Sequence, residues 1–171
     1  MDFAQAAQRW HDFYLLVGTA AATLIGLMFV AVSFAVGSTA ERSRKDVDAW
    51  VTPWLVYFAE VFLIASVTLA PISGLVQGCV LGGLLASNLP WGLMRLRYLQ
   101  KQHAEERIPV SVWIWQMLLP LAAQLVLALG AVGILRADAR ALGVCALSVI
   151  LLLVVALRNA WYLVIYLIEN R

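Results

Sequence analysis

Five stretches of this chain run for twenty or more residues with almost no charge. A helix needs about 20 mostly apolar residues to cross the hydrocarbon core of a bilayer. The stretches extend from Phe13 to Val36, Trp50 to Ala70, Ile72 to Met94, Val110 to Leu135 and Ala141 to Ile168. Of the 171 residues, 63% are hydrophobic and only 13% charged. A water-facing surface takes about a quarter charged residues, so a soluble domain is excluded. The expected fold is all-α: one polytopic transmembrane helical domain over residues 1–171, with five spans.

The second and third stretches almost touch. As a single helix, Trp50 to Met94 would be about 65 Å long at 1.5 Å per residue, twice the roughly 30 Å core. The chain must turn back, and Pro71-Ile72-Ser73-Gly74 holds the turn chemistry. An alternative has four spans and a shallow re-entrant third segment. Pro90 and Pro120 are expected to kink the third and fourth segments.

Loop charges give the orientation. Five spans leave Arg9, Arg136 and Arg140 on one side. The other side carries Arg42, Arg44, Lys45, Arg95, Arg97, Lys101, Arg107 and Arg171. Cytoplasmic loops are rich in Lys and Arg, so the N-terminus is expected outside and the C-terminus inside. The net charge of +2 reflects that bias and does not point to nucleic acid. Trp50, Trp54, Trp91, Trp113, Trp115 and Trp161 fall near the cytoplasmic ends of their segments, and Trp10 at the opposite end of the first. That is where an apolar ring with a polar N–H settles. The start of the chain does not read as a signal peptide: it lacks a basic start, and its apolar run is too long.

Small residues recur at four-residue spacing, which sets them on one helix face. The first segment has Gly18, Ala22 and Gly26, with Thr19 and Thr23 beside them; the third has Gly74, Gly78, Gly82 and Ala86. Such faces let two backbones approach closely in lipid. They can form a subunit interface, line a narrow pore, or pack helices within one chain.

Glu60 is the one acid deep in a segment, about ten residues from either end. An ionisable group there needs a protein or water partner. It is either a proton- or cation-binding carboxylate or a structural, hydrogen-bonded acid. Arg158, followed by Asn159, is the one base clearly inside a segment. Counted from Ile168, Arg158 lies about 15 Å deep and is level with Glu60. Counted from Trp161, it lies one turn deep and can snorkel. Gln77, Asn88, Gln116, Gln124 and Ser148 are further polar groups in the apolar runs.

Cys79 and Cys145 show no metal-binding or redox spacing. His11-Asp12 and the group His103, Glu105 and Glu106 read as caps or loops at the interface. No Ser/His/Asp set, phosphate-binding loop or HExxH motif is present. No metal, cofactor or catalytic residue is expected.

The run from Phe13 to Ser33, FYLLVGTAAATLIGLMFVAVS, resembles the first helix of a family of small uncharacterised bacterial membrane proteins. Arg158-Asn159-Ala160-Trp161 resembles that family's C-terminal Arg-Asn-Ala-Trp-Asp, with Tyr162 in place of the acid. Some of those relatives are labelled modulators of a membrane protease. The resemblance implies this topology and a bacterial inner membrane, and transfers no site role. Two functions follow as expectations. One is a non-enzymatic accessory protein that self-associates or binds a membrane-protein partner. The alternative is a homo-oligomeric ion channel or small transporter using Glu60.

Overall fold

The computed structural model describes residues 3–38, 43–105 and 114–169. Arg42, Glu106, Arg107, Trp113 and Arg171, used above, lie outside them. Every element among the described residues is helical. Helix α1 is Phe3–Ser38, α2 Ser43–Leu69 and α3 Gly74–Glu105; a π-helical turn, Ile114–Leu118, leads into α4, Leu119–Leu135, and α5 is Ala141–Glu169. Three apolar stretches are long enough to cross a membrane: Phe3–Ala31, Ile114–Leu135 and Ala141–Trp161. Leu55–Leu69 and Gly74–Asn88 are shorter apolar helical stretches.

Helix α1 starts ten residues earlier than its apolar run predicts. Its first turns are amphipathic: Ala6 is buried, while Gln5, Gln8 and Arg9 are exposed. Periodic burial extends the helix past the apolar run. The turn between α2 and α3 falls at residues 70–73, as the Pro71 chemistry predicts. Gln77 of α3 fastens it, donating from Nε2 to Val67 O at 3.2 Å and Thr68 O at 3.1 Å. Those are end-of-helix carbonyls that lack partners within α2.

Helix α3 runs unbroken for 32 residues with Pro90 inside it. Pro120 acts at the start of α4. Its ring excludes the regular bond to the carbonyl four residues earlier, and the wider π turn spans that place. The turn from α4 to α5 closes with Asp138 N donating to Gly133 O and Ala137 N to Ile134 O. This paired closure needs a left-handed residue, and Ala137 takes it, at φ 54°.

Helix α5 packs on α4, α2 and α1, and α3 fits against α4 and α2. The core is made of aliphatic side chains and small residues, among them Ala21, Ile64, Leu81, Leu127, Leu142 and Leu152. A smaller cluster of Met28, Phe58 and Ala156 closes the other end. Large apolar side chains also cover the outside: Leu16 and Leu129 are each 69% exposed. An aqueous surface would penalise that arrangement; a lipid-facing one requires it.

Candidate functional site

Glu60 projects from the middle of α2 and is only 3% exposed. Ile64, one turn later on the same face, and Val61 beside it are fully buried, so this stripe of the helix faces the bundle. Gln124 of α4 donates from Nε2 to Glu60 Oε1 at 2.7 Å. Asn88 of α3 lies beside the same carboxyl group. Three helices therefore meet at one carboxyl. Glu60 Oε2 and Gln124 Oε1 are both buried without a hydrogen-bond partner among the described residues.

Arg158 does not join this knot. Its guanidinium lies over the Trp115 ring, 3.9 Å from the centroid. Cation–π attraction holds a guanidinium on a tryptophan face. His11 Nδ1 and Asp12 Oδ1, exposed on α1, lie 3.2 Å apart, away from this knot. No bond joins Glu60 to Asn159, which is buried with Nδ2 unpartnered. The sequence places Glu60, Arg158 and Asn159 together as polar residues in apolar runs; the fold gives Glu60 two amides instead. Gln124 and Asn88 stand out in the sequence only as polar residues. Their convergence depends on helix rotation.

The small-residue faces divide in two. On α1, a methyl added at Gly18 would meet Ala65 Cβ of α2 at 3.0 Å, whereas Gly26 has nothing within 4 Å. Ala22, Thr19 and Thr23 are exposed. On α3, a methyl at Gly74 would touch Ile134 O at 3.6 Å, and one at Gly78 would meet Leu135 Cγ at 2.6 Å. Gly82 and its neighbour Gly83 have nothing within 4 Å, and Ala86 is exposed. Each stripe is used inside the chain toward the N-terminal end of its helix and left open toward the C-terminal end. The hydroxyls beside the α1 stripe turn back into their own helix: Thr19 donates to Leu15 O at 2.8 Å and Thr23 to Thr19 O at 2.9 Å.

The glycine contacts between α4 and α5 carry no four-residue repeat. On α4, a methyl at Gly130 would collide with Cys145 Sγ, and one at Gly133 would meet Ala141 Cβ at 2.8 Å. Their spacing of three, within a leucine-rich run, gives no four-residue signal. Tyr14 of α1 donates to Leu142 O of α5 at 2.7 Å and ties α1 to this pair. Among the described residues no group of three or more His, Cys, Asp or Glu side chains stands close enough to hold a metal ion.

Comparison with known proteins adds no relative: no family model, no curated protein and no solved structure matches this chain.

Proposed function

We propose that the chain is a five-span, non-enzymatic inner-membrane protein that self-associates through the open small-residue faces of α1 and α3. The observation that carries this is the split within each stripe. Gly18 and Gly78 hold helices together inside one chain, and Gly26 and Gly82, further along the same stripes, meet nothing. A helix face without side chains gives little contact to lipid and close contact to another helix. A second copy of the chain supplies a matching face. The in-helix bonding of Thr19 and Thr23 favours a dry interface over a pore wall.

Five crossings also fit the ends of the bundle. Gly74, at the start of α3, lies beside Phe3 of α1 and Ile134 of α4. An open hollow there is lined by Ala6, Trp10 and Phe13 of α1 and by residues 137–140. The start of α1 and both tight turns thus share one end, as alternating antiparallel crossings require. Helix α3, unbroken over 32 residues, is about 48 Å long, more than a crossing needs. The charge bias then sets that shared end outside and the C-terminus in the cytoplasm.

The test is the mass of the purified protein in mild detergent and in lipid nanodiscs. The wild type should be multimeric. Gly82→Leu should be monomeric with its thermal stability little changed, because a Cβ there has no atom of its own chain within 4 Å. A monomeric wild type, or a Gly82→Leu variant that keeps the multimer, would refute the interface.

A further inference from the structure

We infer that Glu60, Gln124 and Asn88 form a proton-binding site in the centre of the bundle, with the proton carried on Glu60 Oε2. This goes beyond self-association, which does not use these residues. The inference rests on a count of donors and acceptors. Glu60 Oε1 accepts from Gln124 Nε2 at 2.7 Å. Glu60 Oε2 and Gln124 Oε1, the remaining oxygens of the two groups joined by that bond, are buried acceptors without a donor. An ionised carboxylate only accepts, whereas a protonated one carries an O–H donor. One proton on Oε2 therefore turns a buried, unpartnered carboxylate oxygen into a neutral O–H and removes the buried charge.

Among the described residues no cation lies within ion-pair distance of the Glu60 carboxyl. Glu60 lies on α2, which packs against α1, α3 and α5. On α1, Tyr14 is committed to Leu142 O. On α3, Cys79 is exposed. On α5, Cys145 lies against Gly130, and Arg158 lies over Trp115. Among the described residues the group bonded to the carboxyl is the neutral amide of Gln124, with Asn88, a second neutral amide, beside it. A bare carboxylate would be a buried, uncompensated charge within the membrane.

The site can be read by its chemistry and by its vibration. Dicyclohexylcarbodiimide, an apolar reagent, adds to a protonated carboxyl: the acid proton moves to nitrogen and a C–O bond forms. The acyl group then shifts from oxygen to nitrogen, so the adduct retains the whole reagent and nothing is oxidised or reduced. In the full chain in liposomes at neutral pH, peptide mass spectrometry should place one such adduct on Glu60. Glu60→Gln should lose it. Infrared spectra of the same samples should contain a carbonyl band of a protonated carboxyl that disappears in Glu60→Gln. The band should shift to higher frequency in Gln124→Leu, where Oε1 loses the amide donor. A purely structural carboxylate would give no such band. Absence of the band in a folded wild type would overturn the proposal, whatever the reagent does. So would a band that survives in Glu60→Gln.

Discussion

Gly130→Leu is expected to be the most damaging single change in the bundle. A methyl at Gly130 would collide with Cys145 Sγ, lie 3.2 Å from Cys145 N and 3.5 Å from Ala141 O. Two of those atoms are backbone of α5 and cannot rotate away. The leucine must push α4 and α5 apart, and with them Gly133 from Ala141 and Ser148 Oγ from Ala123 O, now bonded at 2.8 Å. Overpacking a well-filled core costs about 1–3 kcal/mol and occasionally more. Leucine at a backbone-to-backbone contact belongs at the upper end of that range. Thermal unfolding in detergent checks it against Gly92→Leu, a site with nothing within 4 Å, which should leave the midpoint unchanged. Equal midpoints for the two variants would mean that α4 and α5 are not in close contact.

Phe58→Ala is the second large effect. Phe58 is fully buried and joins Met28 of α1 to Ala156 of α5. In a water-soluble protein, removing a buried phenylalanine costs about 3–5 kcal/mol, as a transfer term plus a cavity term. Here the transfer term largely vanishes, because lipid tails are as apolar as the core. The lost packing contacts remain, so about 2 kcal/mol is expected. Phe62→Ala, at a side chain 41% exposed on the outside of the same helix, should cost less than about 0.5 kcal/mol. Unfolding of both variants in the same detergent provides the comparison. A Phe58→Ala loss equal to that of Phe62→Ala would place Phe58 on the lipid side.

What the sequence made legible was depth and turning. The turn at Pro71 falls where its chemistry predicts, because a helix too long for the bilayer must reverse at residues that can reverse it, and residues 136–140 fall in the gap between the fourth and fifth apolar stretches. Glu60 stands out because one acid in a long apolar run must be buried or solvated. What depth cannot give is rotation. Arg158 is level with Glu60 by one count of residues, yet its guanidinium lies on Trp115, while the unremarkable amide of Gln124 bonds the carboxyl. The glycine stripes illustrate the same limit. Spacing identifies a face, but only packing separates Gly78, closed against Leu135, from Gly82, open one turn later. Gly130 escaped notice for a related reason: a contact made through spacing of three in a leucine-rich run leaves no repeat.

The central claim is that α1 to α5 cross the membrane in alternation, with the start of α1 and both tight turns outside. It is tested most directly by labelling single cysteines in intact cells with a membrane-impermeant maleimide, in a background with Cys79 and Cys145 replaced by alanine. Ser73→Cys and Ala137→Cys, both at exposed turn positions, should label from outside. Ser43→Cys should label only after the membrane is opened. Labelling of Ser43→Cys in intact cells would reverse the orientation. Ser73→Cys and Ala137→Cys on opposite sides would mean that α3 does not cross, and would contradict the five-span bundle.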